Sequence, residues 1–408
     1  MVVIVGPEFL GAKSVSGTIT FFLFIASVIV LFYTFLGYPM LLMLWGKLIP
    51  QPIKHRRFDT DVVIVVVVHN GEKLIEQKLV TCLAQDFPPE HLRVLIVSDG
   101  SNDGTCAFVE AFSKRNMTPT RVTLLALPER RGKSACLNDA VNACDETIIV
   151  FTDVRQTLHT SAVRCLVDNF SDPQIGAVSG QLVFEREGIT EFGAGIDAYW
   201  RYEKFLRRSQ SQVGSTIGVT GAIYALRRQC FQEIPSETIL DDVLIPMNVV
   251  MQGKRVVFEN NAIAYDKPTR NIAHERIRKV RTLAGNFQLI AKYPQWILPW
   301  SNPIAIHFVS HKIMRLLSPL ALLVAITANI ILVIFNDGPF FKITLALQVT
   351  GYITAFIGLI VPSMQKIIVV KLAIAFLSLN WFVVLGFIEF LSNRKAHLWK
   401  TSPATHLD

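Results

Sequence analysis

Asp61–Val68 reads DVVIVVVV. An unbroken β-branched run of this kind is a strand covered on both faces, the situation of a strand inside a parallel sheet. Helix and strand patterns alternate after it. Glu72–Ala84 sets Leu74, Ile75, Lys78, Leu79 and Cys82 at helical spacing, Leu92–Val97 reads as a strand, and Thr105–Lys114 as a helix. Val122–Leu127 (strand), Ser134–Ala143 (helix) and Thr147–Phe151 (strand) continue the series. This alternation predicts a doubly wound α/β sheet. In such sheets ligands bind beyond the carboxyl ends of the strands. Polar residues gather there: His69 and Asn70 after the first strand, Asp99 after the second, Asp153 after the fourth. One cleft accounts for all of them.

Apolar blocks flank this stretch. The chain of 408 residues is 51% hydrophobic, with a mean hydropathy of +0.40, too apolar for an ordinary soluble protein. The excess lies in Thr18–Trp45 and beyond Ile313, and about twenty apolar residues span a bilayer core. The first block is too long for a signal-peptide core and has no small-residue cleavage site after it. Leu36-Gly37-Tyr38-Pro39 reads as a kink in a retained helix, with an interfacial aromatic. Ile313–Phe335, Phe340–Val361 and Ile367–Leu391 give three further spans, separated by Asn336-Asp337-Gly338-Pro339 and Pro362-Ser363 as turns. Ile277, Val280, Ala284, Phe287 and Ile290 share a helical face, with Arg276, Arg278, Lys279 and Arg281 near its start and Trp296, Pro299, Trp300 and Pro303 after it. That segment is either a helix lying in the membrane interface or a basic surface helix. The expected division is 1–46 tail and transmembrane helix, 47–268 α/β domain, 269–312 interfacial helices, 313–392 three transmembrane helices and 393–408 tail.

The formal charge of +8 arises from 40 basic and 32 acidic residues. Much of it stands beside the apolar blocks, at Lys47, Lys54, Arg56 and Arg57 and again over Arg270–Arg281. Basic flanks mark the cytoplasmic side of a membrane and meet its anionic lipid. No zinc spacing or basic–aromatic recognition motif accompanies them, so nucleic acid is not an expected partner. Four spans around a cytoplasmic middle put both ends outside, whereas Arg394, Lys395 and Lys400 favour the inside; a re-entrant stretch would reconcile the two. The six cysteines (Cys82, Cys106, Cys136, Cys144, Cys165, Cys230) contain no CxxC pair. They read as buried thiols of a reducing compartment.

Four motifs carry chemistry: VSDGSND (Val97–Asp103), RRGKSACLNDA (Arg130–Ala140), FTDVR (Phe151–Arg155) and TILDDV (Thr238–Val243). Asp99 and Asp103 suit either a base-reading carboxylate or a common turn. Lys133 after Gly132 offers phosphate a charge and a close backbone approach. Asp153, closing a strand, is a helix N-cap or a ligand for Mg²⁺ or Mn²⁺ shared with substrate phosphates. Asp241 and Asp242 open a helix over Asp242–Gln252. They are dipole-paired surface carboxylates or a pair whose mutual repulsion suits a general base.

Taken in order, with the TGA loop Thr220–Ala222, these motifs resemble the family 2 glycosyltransferases of the GT-A (Rossmann-like) fold over roughly Asp61–Gly285. The flanking helices resemble their membrane-integrated branch, which includes hyaluronan and poly-N-acetylglucosamine synthases. The resemblance implies donor contacts from His69, Asn70, Glu72, Asp99, Asp103 and Lys133, a metal on Asp153, and Asp242 as general base beside Asp241. The family's Asp-x-Asp is Asp153-Val154-Arg155 here, so Arg155 takes the second position and is expected at phosphate or sugar. The loop with Thr220 and Gly221 is expected near the acceptor. The Gln-x-x-Arg-Trp of processive members becomes Arg278-Lys279-Val280-Arg281-Thr282: Arg278 and Arg281 are expected substrate contacts, and the acceptor-stacking tryptophan is missing. Tyr199 or Trp200 in DAYWRYEKFLRR (Asp197–Arg208) is a candidate substitute, or a core residue. The implied activity is inverting transfer from a nucleotide-sugar, UDP-linked, to an extracellular or capsular polysaccharide at a cell (inner) membrane. The alternatives are one transfer to a lipid-linked acceptor and an inactive scaffold. Membrane lipid and subunits of an export or synthase complex are further expected partners.

Overall fold

The computed structural model describes residues 15–116, 118–184, 193–267, 272–335 and 338–393. In chain order, α1 (Val15–Phe32) and α2 (Tyr38–Leu48) precede β1 (Val62–Val68), α3 (Glu72–Leu83), β2 (Leu92–Asp99), α4 (Thr105–Arg115), β3 (Arg121–Leu127), α5 (Lys133–Asn142) and β4 (Ile148–Asp153). Next come β5 (Thr157–Leu158), α6 (Ala162–Asp168), β6 (Ile175–Phe184), α7 (Gly193–Val213), β7 (Tyr224–Arg227), α8 (Asp241–Met251) and β8 (Arg255–Asp266). The chain continues with α9 (Ile272–Lys292), α10 (Ala305–Phe308), α11 (Met314–Phe335), α12 (Pro339–Ile360) and α13 (Ile368–Ser392). The described residues form two compact units, one drawn from Met1–Leu44, Ile189–Tyr202 and Phe308–Leu385, the other from Trp45–Gly188, Glu203–His307 and Gly386–Asp408.

The second unit holds an eight-stranded sheet of order β3-β2-β1-β4-β7-β6-β8-β5. All seven residues of β1 are buried, as its β-branched run requires of a strand with layers on both sides. Val62, Ile64, Val66 and Val68 join Ile75, Leu79 and Cys82 of α3 in one core. β3, β2, β1 and β4 are parallel. The doubly wound pattern stops there, because β7 runs antiparallel to both β4 and β6, making the sheet mixed. An antiparallel neighbour needs no crossover helix over the sheet; in this chain the 21-residue α7 nevertheless stands between β6 and β7.

Two flanking contacts in this unit concern α9. On one side, a Cβ added at Gly285 would lie 2.5 Å from Leu240 Cγ, and Gln288 Oε1 accepts the Ile239 amide at 3.0 Å. On the other, a Cβ at Gly386 would lie 2.5 Å from Leu283 Cβ, and the Phe287 and Phe387 rings are 5.1 Å apart. The last turns of α13 therefore pack on the helix that backs the Asp241-Asp242 loop.

The other unit is helical. The interruption expected at Leu36–Pro39 is a π-helical turn over Tyr33–Gly37, and the apolar helix continues through it from Gly17 to Leu48. A prolyl ring has no N–H and crowds the carbonyl four residues back. Here that carbonyl, of Phe35, accepts the Tyr202 hydroxyl at 3.1 Å. A second π turn, Val309–Ile313, meets the first through Tyr33 Oη and Ser310 Oγ at 2.7 Å. Among the described residues four helices are long and apolar enough to cross a membrane: Gly17–Leu48, Ala305–Phe335, Pro339–Ile360 and Ile368–Ser392. Thr269, Arg270, Asn336, Asp337, Arg394, Lys395 and Lys400, and the side chains of Tyr199 and Trp200, lie outside the described residues.

Candidate active site at the strand ends

The ends of β1 and β2 are tied into one loop platform. Asn70 takes a left-handed backbone, φ 53°, which asparagine tolerates better than most residues. Its amide donates to Ser101 Oγ at 3.0 Å, and its side-chain oxygen accepts the Asn102 amide at 2.9 Å. Asp103 accepts the amides of Glu72 and Thr105, each at 3.1 Å; burial raises its pKa, but the Thr105 hydroxyl first and then these amides hold the carboxyl below the usual range. Glu72 Oε2 in turn accepts the Gly104 amide at 3.2 Å. The His69 ring nitrogen Nδ1 pairs with the Asp99 carbonyl at 2.7 Å.

Asp99 is 1% exposed. Its two oxygens accept the amides of Arg131 at 2.6 Å and Gly132 at 3.0 Å. The carboxylate expected to read a base thus faces the protein and fixes the turn that starts α5. That turn is closely fitted, since a Cβ at Gly100 (φ 59°) would meet the Arg130 amide nitrogen at 2.6 Å, and Gly132 has φ 90°. Both angles favour glycine.

The turn delivers Lys133 to the first position of α5. Its Nζ lies 2.9 Å from Asp153 Oδ1 and 3.2 Å from Asp241 Oδ2. Burial disfavours the ammonium, but Asp153 and Asp241, and less strongly Asp242, outweigh it and hold its pKa well above that of free lysine. Lys133 therefore remains a cation. Asp242 reaches the same place by a different route. Pro246 inside α8 frees the Asp242 carbonyl four residues back, and that carbonyl accepts the Val219 amide at 2.9 Å. The loop ahead of Gly221 is so locked to the start of α8. A Cβ added at Gly221 would stand 3.7 Å from Lys133 Nζ, 3.9 Å from Asp153 Oδ2 and 4.0 Å from Asp242 Oδ2. A cation and two carboxylates face the space a side chain would fill.

Residues 63–234 match the Glycosyl transferase family 2 profile. An N-acetylglucosaminyltransferase of Rhizobium meliloti (strain 1021) is 29% identical over 186 residues, 45% of this chain and 43% of that protein. A beta-monoglucosyldiacylglycerol synthase of Synechocystis sp. (strain ATCC 27184 / PCC 6803 / Kazusa) is 22% identical over 243 residues, 58% and 50% of the two chains. The chain thus spans about half the length of these curated relatives. The solved mannosyltransferase PcManGT from Pyrobaculum calidifontis, in complex with GDP-Man and Mn²⁺, has a TM-score of 0.71 at 23% identity, covering 91% of this chain and 99% of that one. The α/β unit carries a family 2 glycosyltransferase domain of the GT-A fold.

Within this family 2 domain the expected residues fall into two groups. Lys133, Asp153, Asp241, Asp242 and Gly221 converge, and Arg281 is close enough to feel the charges of all three aspartates, although burial lowers its pKa. Thr220 supports from behind, its amide donating to Ser179 Oγ at 3.0 Å. Arg155, its side chain 45% exposed, pairs with buried Asp266 at 2.6 Å. Arg278 lies one turn before Arg281 on α9, and its carbonyl accepts the Thr282 hydroxyl at 2.9 Å. Among the described residues no set of three or more His, Cys, Asp or Glu side chains could alone hold a metal. Asp153 Oδ2 nevertheless faces the Gly221 space while Oδ1 takes Lys133. That donor fits a hard divalent ion sharing substrate phosphates.

Two residues escaped sequence reasoning, Tyr224 at the cluster and Asp266 beside the segment that follows Asp153. Tyr224 is buried, stacked on Phe151 at 4.9 Å, with a hydroxyl that has no hydrogen-bond partner among the described residues and a pKa raised by burial and then by Asp241, Asp242 and Asp153. Its signal was its place two residues beyond the TGA loop Thr220–Ala222. Asp266 closes β8, more than a hundred residues from its partners Arg155 and Gln156, and no local pattern marks it.

Proposed function

We propose that the chain is a membrane glycosyltransferase that moves a sugar from a nucleotide-sugar, UDP-linked, to an acceptor hydroxyl with inversion. The supporting observation is the convergence of Lys133 Nζ, Asp153 Oδ2 and Asp242 Oδ2 within 4.0 Å of the missing Gly221 side chain. Asp241 is 7% exposed and paired with Lys133, while Asp242 is less buried. Asp242 is therefore the base. It takes the acceptor proton as the acceptor oxygen attacks the anomeric carbon opposite the diphosphate, and the anomeric C–O bond to diphosphate breaks in the same step. Lys133 and Arg281 meet the charge that develops on the leaving group. Mg²⁺ or Mn²⁺, held by Asp153 with the diphosphate, would supply further charge neutralisation.

The α/β domain lies on the cytoplasmic side of a cell (inner) membrane in this reading, as Lys47, Lys54, Arg56 and Arg57 support. The acceptor is a growing extracellular or capsular polysaccharide. One observation favours a single transfer to a lipid-linked acceptor instead: Thr282 stands at the expected tryptophan position and bonds back to Arg278, presenting no aromatic platform. A donor screen on the full chain in lipid vesicles with Mg²⁺ or Mn²⁺ tests both. Long product from one donor supports the polysaccharide, one sugar on a lipid supports the second reading, and no release from any UDP- or GDP-sugar contradicts the activity.

A further inference from the structure

Lys78 is a lysine where the sequence asks for an apolar residue. It lies on the α3 face that carries Ile75, Leu79 and Cys82, all fully buried, and is itself 1% exposed. An ammonium in such a place is tolerated only when its hydrogen bonds are supplied. Lys78 Nζ donates to Thr152 Oγ1 at 2.7 Å and to the Gln156 carbonyl at 2.8 Å. These acceptors lie at the two ends of the segment Thr152-Asp153-Val154-Arg155-Gln156, whose second residue is Asp153. Thr152 Oγ1 passes the link on, donating to the Ala222 carbonyl at 2.7 Å, next to Gly221. The far side of the segment is held by Asp266, which accepts Arg155 Nη2 at 2.6 Å and Gln156 Nε2 at 2.9 Å.

We infer that Lys78 is a positioning residue of the transfer site: from beneath the sheet end it ties the Asp153 segment to the Gly221 loop, and so sets where Asp153 Oδ2 stands. It touches no substrate and acts through Thr152. A hydrophobic residue of similar length would fill the volume but leave Thr152 Oγ1 and the Gln156 carbonyl without their donor. This inference rests on the proposed transferase reading for its kinetic consequence, not for its structural one.

The test compares Lys78→Met, Thr152→Val and their double variant in the full chain, with Leu79→Ala as a core-packing control. Hydrogen exchange over residues 152–156 is expected to quicken in Lys78→Met and not in Leu79→Ala, although Leu79→Ala lowers the melting temperature. With an active donor, kcat in Lys78→Met is expected to fall about tenfold or more, since small misplacements of catalytic groups have effects of that size or greater. The double variant should be no worse than the more affected single one. Unchanged exchange at 152–156 in folded Lys78→Met overturns the inference whatever the activity. An active wild type with unchanged kcat in Lys78→Met overturns its kinetic half. A wild type silent with every donor contradicts the transferase reading instead, and the exchange result still decides the position of the segment.

Discussion

A methyl group at residue 221 would touch Lys133 Nζ, Asp153 Oδ2 and Asp242 Oδ2 only at ordinary van der Waals distance, 3.7 to 4.0 Å. Gly221→Ala is therefore expected to fold with its stability within about 0.5 kcal/mol of wild type. It should lose at least about tenfold in kcat/KM, because the methyl stands where substrate must be held; melting and donor kinetics on one preparation check both. Lys78 gives a pH signature. Burial draws its pKa down to about 8 from 10.5, with Cys82 and Asp153 pulling back. Between those values the unfolded chain binds more protons than the folded one, so stability rises with pH through the window and lacks this contribution below it. The rise between pH 8 and pH 10 is ~2 kcal/mol, and Lys78→Met should remove it in melting curves taken at those two values. At this scale the aspartates, Lys133 and Gly221 were legible because each stands in a short motif at a strand end or helix start. The direction in which Asp99 and Arg155 point was not, since their partners Gly132 and Asp266 are 33 and 111 residues away.

Helices α8 and α9 act as supports for the site rather than as surfaces of it. Pro246 makes the first turn of α8 give up one carbonyl, and Val219 uses it. Pro246→Ala restores an N–H that competes for the Asp242 carbonyl, so the Gly218–Gly221 loop should loosen. The expected result is an unchanged or raised melting temperature with a fall in kcat of about tenfold; a fall in both would mean that the proline serves stability. The parallel half of the sheet was readable because β1, α3, β2, α4, β3, α5 and β4 each carry one clear period. Beyond β4 the pattern fails for physical reasons. β6 contains Gly176 packed against the Val249 and Lys254 side chains and Gly180 against the Ala262 carbonyl, with register shifts beside both against β8, and β7 is only four residues long. The kink expected at Pro39 is present as a π turn because proline removes a bond that neighbours must replace, an argument from chemistry that needs no knowledge of the partner, Tyr202.

In the whole molecule, the end of α13 packs on α9 within the unit that holds the sheet. We propose from this contact that the chain returns by Asn393 to the membrane side it leaves at Ala305, an even number of crossings, with α12 or α13 re-entrant. Cysteines placed at residues 51 and 393 are then expected to label from the same side of a sealed vesicle, and one at residue 338 from the other; opposite labelling of 51 and 393 would restore four full spans. Such an arrangement is the re-entrant stretch that Arg394, Lys395 and Lys400 called for in the sequence. The central claim is the base at Asp242, and the direct test is nucleoside diphosphate release by wild type and Asp242→Asn in identical vesicles with Mn²⁺ and a panel of nucleotide-sugars. Release by wild type, reduced about 10²–10⁴-fold in Asp242→Asn with equal folding and donor affinity, is the predicted result. Equal release by the two proteins would contradict the assignment of Asp242 as the base.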